Sequence, residues 1–99
     1  MIVGIRAQYN FGRWNLGVFK FTDQKTADLW LAVQEYGGCI KTLNDNEESA
    51  LAEIQGYGWN EQEAQQVLEF ADTGTFNEEK GYIDYKFSQA FINRQMGWE

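Results

Sequence analysis

The chain has 99 residues, a formal net charge of −7, one cysteine and no histidine or proline. That length closes one core and not two, and 43% apolar residues with 16% aromatics lies outside the range of disordered chains. A lone Cys39 excludes an internal disulfide, and the absent histidine removes Ser-His and Cys-His nucleophile pairs and the commonest zinc ligand.

The charge is unevenly distributed. Residues 1–42 carry Arg6, Arg13, Lys20, Lys25 and Lys41 against Asp23, Asp28 and Glu35. Residues 43–85 carry eleven acids against Lys80 alone. Lys86, Arg94 and Glu99 close the chain. Direct nucleic-acid binding is disfavoured, because it needs clustered cations to displace counterions from phosphates. A focused negative field instead favours a basic protein surface. The bland alternative is that the charge serves solubility. No apolar run approaches a membrane span and no basic-then-apolar leader opens the chain, so a cytoplasmic protein is expected.

Val3, Ile5, Ala7 and Tyr9 alternate with Gly4, Arg6 and Gln8 as in a half-buried strand. Asn10-Phe11-Gly12-Arg13 supplies a turn, and Trp14 to Phe21 reads as the returning strand of a hairpin. Within it the apolar phase moves from Trp14, Leu16 and Val18 to Phe19 and Phe21, and Gly17 suggests a bulge at the shift. Thr22 or Asp23 can cap a helix running to Tyr36 and stopped by Gly37-Gly38. Its expected apolar face holds Leu29, Trp30, Val33 and Tyr36 with Ala32 at the edge. Leu31 points away beside Asp28, Gln34 and Glu35.

Cys39 to Leu43 reads as a short strand, with Cys39 as a small buried residue. Asn44 with Glu47 has capping-box spacing and opens a second helix ending at Gly56. Asn60 with Glu63 repeats the signal for a third helix that runs close to Gly74. The apolar faces are Ala50, Leu51 and Ile54 in the first of these, and Ala64, Val67, Leu68 and Ala71 in the second. Gly81 to Phe87 alternates as a last strand, and Ser88 caps a final short helix. The order β-β-α-β-α-α-β-α implies one α+β domain over residues 1–99, a mainly antiparallel sheet covered by three or four short helices.

No catalytic, cofactor or metal motif emerges. The glycines of Gly37-Gly38 and Gly56-Tyr57-Gly58 read as helix stops, and Asn44 to Glu48 lacks the glycine and closing glutamate of a calcium loop. Helix capping and the helix dipole account for those acids, and a carboxylate-pair hydrolase is the weakest of the three readings. The acids projecting from the second and third helices, Asp45, Glu48, Glu53, Glu61, Glu69 and Asp72, carry the functional expectation together with Glu78 and Glu79. No cation occurs over residues 43–79 to offset them. Acids three or four apart on a helix sit about 5–6 Å from one another, close to the spacing of successive phosphates on one strand. Tyr57 and Trp59 form an aromatic loop between the acidic helices and are candidate interface anchors.

The expectation is a non-enzymatic acidic protein that occludes the basic surface of a nucleic-acid-handling protein by charge mimicry, with no cofactor. Size, charge and absence of catalytic motifs give it a general likeness to phage and mobile-element anti-defence inhibitors, of the anti-CRISPR and antirestriction kinds. Tyr9-Asn10 and Gly12 ahead of Trp14 are similar to the opening of ArdA-type antirestriction proteins, a likeness confined to that handful of residues. The alternative is an interaction module that uses Tyr57, Trp59 and Leu31, with charge for solubility only.

Overall fold

The computed structural model of the chain describes residues 1–33 and 39–97. Its elements are β1 (Ile2–Asn10), β2 (Arg13–Phe21), α1 (Gln24–Ala32), β3 (Ile40–Asn44), α2 (Glu47–Gly56), α3 (Glu61–Glu69), β4 (Asp72–Asn77), β5 (Tyr82–Lys86) and α4 (Gln89–Met96). The strands form one sheet in the order β3-β1-β2-β4-β5, antiparallel everywhere except between β2 and β4. The α+β class is as the sequence implies, with one strand more than expected.

β1 and β2 pair without interruption from Ile2↔Phe21 to Asn10↔Arg13. Phe11 and Gly12, both at positive φ, make the two-residue turn, and that backbone at both positions is what a twisted hairpin requires. No bulge occurs at Gly17. The change of apolar phase reflects instead a sheet covered on both faces. Val3, Ile5, Leu16 and Val18 pack under Ala50 and Ile54 of α2 and Ala64 and Leu68 of α3. On the other face Ile2, Phe19 and Phe21 meet Ala27 and Trp30 of α1.

Gly4 sets how closely α1 approaches. A Cβ there would lie 2.7 Å from ring carbons of both Phe21 and Trp30. The helix accordingly turns Thr26, Ala27 and Trp30 into the core, while Leu29 and Val33 are exposed (36% and 59%), contrary to the projected face. Leu31 is exposed, as expected. The helix ends at Ala32, where the Lys41 ammonium donates to the carbonyls of Trp30 and Val33 and covers the Trp30 ring. Tyr36, Glu35 and the Gly37-Gly38 stop, like Trp98, lie outside the described residues.

Two further expectations shift. Asn46, not Asn44, caps α2 by accepting from the Ser49 N–H at 2.8 Å, whereas Asn60 closes a full capping box with Glu63 on α3. α3 stops at Glu69 rather than near Gly74, because Asp72 to Gly74 pair in parallel with Phe19 to Phe21. Gly74 is buried where a Cβ would lie only 3.0–3.1 Å from Phe21, Ile83 and Tyr85. Cys39 precedes β3 and is half-buried rather than fully buried. Ser88 caps α4, which is attached through the Phe87–Phe91 ring contact and Arg94 over Phe70.

Candidate functional site

α2 and α3 lie side by side on one face of the sheet, joined by the loop from Tyr57 to Asn60. Their packing brings the start of α2 beside the end of α3. Glu47, Glu48 and Glu69 therefore line one open groove of about 410 Å³, with Leu51 and Leu68 in its floor. Lys20 is the one cation among the residues lining it, its Nζ 3.5 Å from Glu47 Oε1. From Glu69 a polar, cation-free face of Gln65, Gln66 and Gln62 runs along α3 to Glu63, and Glu61 is exposed in the same first turn. Glu47, Glu48, Glu61 and Glu63 occupy helix first turns, where the dipole favours negative charge.

The acids named from sequence do not all join this face. Glu48 and Glu69 do, Glu61 is exposed at the start of α3, and Asp45 is exposed in the turn just before α2. Glu53 departs from the outward-facing set. It is half-buried and accepts from the Thr42 hydroxyl and from Asn44 Nδ2 (3.0 Å), tying α2 to β3. Asp72 is half-buried at the start of β4, close enough to Tyr85 to reinforce the rise in its phenol pKa that burial mainly causes. Glu78 Oε1 pairs with Lys25 Nζ at a distance of 2.8 Å. That contact lowers the carboxyl pKa and raises that of the ammonium. Glu79 is exposed in the β4–β5 turn, apart from the helix pair.

Tyr57 and Trp59 prove to be part of a larger feature. With Tyr9 and Trp14 from the β1–β2 hairpin they line an open cleft of about 380 Å³, flanked by Arg13 and Glu63. Hairpin register sets Tyr9 opposite Trp14, their rings 5.2 Å apart and edge-on, and Trp14 meets Tyr57 at 4.9 Å. Burial, then the nearby Glu53 charge, pushes the Tyr57 phenol up. Beside the cleft, Phe11 is fully exposed in a left-handed backbone conformation that aromatic residues rarely adopt. The excess of large aromatics points to Trp14 in general terms, but Tyr9, Arg13 and Glu63 are not expected from sequence at a contact surface. The Phe11-Gly12 turn was the available signal, since it dictates the Tyr9–Trp14 pairing.

Among the described residues no group of His, Cys, Asp and Glu is arranged to hold a metal ion, and no helix is long and apolar enough to cross a membrane. Comparison with protein-family models, with curated proteins and with solved structures finds no match.

Proposed function

We propose that this domain is a non-enzymatic binding protein that docks the outer face of α2 and α3 on a basic surface of a nucleic-acid-handling protein and occludes it, as an anti-defence inhibitor would. The observation that carries the reading is the packing of the two helices. It gathers Glu47, Glu48 and Glu69 around one groove, with Lys20 the one cation in the lining. Beyond Gln65, Gln66 and Gln62 one further acid, Glu63, lies about 9 Å along α3. Ordinary surface helices intersperse both signs to gain i,i+4 pairs. A one-signed face forgoes that gain and instead speeds encounter with a surface of opposite charge.

The test is affinity capture from lysate at low salt, with the wild-type domain and a Glu48→Lys/Glu61→Lys/Glu69→Lys variant compared side by side. All three carboxylates are exposed; the two first-turn reversals each forgo a dipole interaction of about 0.3–1 kcal/mol, so retention of the fold is checked by circular dichroism and thermal melting. A basic nucleic-acid-binding protein that elutes at moderate salt and is missing from the variant is the expected result. A partner that resists salt, survives the triple reversal and is lost with Trp59→Ala overturns charge docking in favour of the second reading. That reading, an aromatic contact with charge for solubility only, is favoured by the cleft that Trp59 lines.

A further inference from the structure

We propose that the aromatic cleft at the hairpin end of the domain is a binding site for a single arginine side chain. The proposal rests on the basic-partner reading for where that arginine comes from, and on the cleft alone for its chemistry. Tyr9, Trp14, Tyr57 and Trp59 line the cleft, and Trp14 meets both Tyr9 (5.2 Å) and Tyr57 (4.9 Å) at steep interplanar angles. Aromatic faces carry negative quadrupole potential, and a planar guanidinium stacks on them better than an ammonium does.

Glu63 supplies the second half of the recognition. Its Oε1 accepts from the Asn60 N–H at 3.0 Å, which holds the carboxylate at the cleft rim. A guanidinium there forms a charge-assisted hydrogen bond. Gly12 and Gly58, both at positive φ, border the mouth. The volume of about 380 Å³ falls in the usual range of small-ligand pockets.

Arg13 is the opposing charge on the same rim, and it makes the proposal discriminating. A cationic ligand is repelled by Arg13 and held by Glu63. An anionic ligand shows the reverse dependence, and a sugar stacked on the rings shows neither. The probes are the tripeptides Gly-Arg-Gly and Gly-citrulline-Gly, which match in shape and differ in charge. They are titrated into the full chain while the assigned indole N–H resonances of Trp14 and Trp59 are followed by NMR.

The arginine peptide is expected to shift both indoles with millimolar affinity, and the citrulline peptide to bind roughly tenfold more weakly. Arg13→Gln should tighten the arginine peptide about threefold, and Glu63→Gln should weaken it about fivefold. Glutamine keeps the capping box at that position, so a loss there is not a loss of fold. Equal affinity for the two peptides, no shift of either indole, or weaker binding by Arg13→Gln overturns the proposal. Its failure is distinguishable from failure of the docking reading: the Glu48/Glu61/Glu69 reversal tests partner capture without touching the aromatic walls, and the tripeptide titration involves no partner.

Discussion

Replacing Gly4 by alanine is the sharpest probe of how this sheet accepts a helix on its second face. The added Cβ would lie 2.7 Å from Phe21 Cε2 and 2.7 Å from Trp30 Cζ3. Carbon–carbon contacts settle near 3.5–4.0 Å, so both rings must retreat by about 1 Å. Neither has room: Phe21 is 0% and Trp30 6% exposed, and their centroids are already 5.3 Å apart. Overpacking of this kind costs roughly 1–3 kcal/mol, against which the loss of glycine's unfolded-state entropy returns about 0.5–1 kcal/mol. A net loss of about 1–2 kcal/mol is expected, equivalent at this size to a fall in melting temperature of roughly 5–15 °C. The assay is urea unfolding followed by far-ultraviolet circular dichroism, in the wild-type and Trp30→Phe backgrounds. Phenylalanine withdraws the part of the indole that meets Gly4, so the penalty should shrink by at least half in the double variant. If Gly4→Ala costs the same in both backgrounds, or nothing in either, the close approach of α1 does not depend on this glycine.

Three other substitutions probe contacts elsewhere in the domain. The buried Thr26 hydroxyl accepts from the Phe76 N–H at 3.0 Å. Thr26→Val strands that donor and should cost about 1 kcal/mol in the same unfolding assay, the added methyl offsetting part of the loss. Phe11 is fully exposed at positive φ. Phe11→Asn should therefore stabilise the domain by about 1 kcal/mol in thermal melts, asparagine tolerating that conformation at no cost in packing. The Asp23 carboxylate caps α1, its Oδ1 accepting from the Thr26 N–H at 2.7 Å. That bond holds the carboxyl below its ordinary pKa of 3.8. With the folded pKa lowered, its contribution is complete above pH 3.8 and is lost as pH falls through the folded value. Asp23→Asn keeps the cap without the charge, so stability measured from about pH 6 down to about pH 2 should fall less steeply in the variant.

Elements marked by alternation or by a cap could be read from the sequence, and those marked by an absence could not. The hairpin, α2, α3, β5 and α4 each announce themselves through periodic apolar residues or through Asn60 and Ser88. β4 does not, because the inward position where a large side chain would betray a strand is Gly74, kept small by Phe21, Ile83 and Tyr85. α1 misleads similarly: its core face is built on Thr26 and Ala27 beside Trp30, and the first two carry little hydrophobic signal, while Leu29 and Val33 stay outside. In the candidate site, helical projection separates Glu48, Glu61 and Glu69 correctly from the core but is blind to partners from elsewhere in the chain. Thr42 and Asn44 engage Glu53, and Lys25 engages Glu78, through tertiary contacts that no local pattern encodes.

The parallel pairing of β2 with β4 has a consequence for how the chain assembles. The β1–β2 hairpin closes over a two-residue turn, and α2 and α3 over one short loop, so each half-structure forms from neighbours in sequence. Among the described residues the β4–β5 ribbon hydrogen-bonds to the rest of the sheet along a seam of three residue pairs, from Phe19↔Asp72 to Phe21↔Gly74. Thr22 and Thr75, whose hydroxyls meet at 3.1 Å across this seam, are 53 residues apart. Closing so long a loop costs chain entropy before its contacts can repay it. The join is reinforced by the Phe76 N–H to Thr26 bond and the Tyr85–Phe19 ring contact, so the ribbon depends on α1 and β2 together. The hairpin, which carries Tyr9 and Trp14, and the loop bearing Tyr57 and Trp59 lie outside this seam.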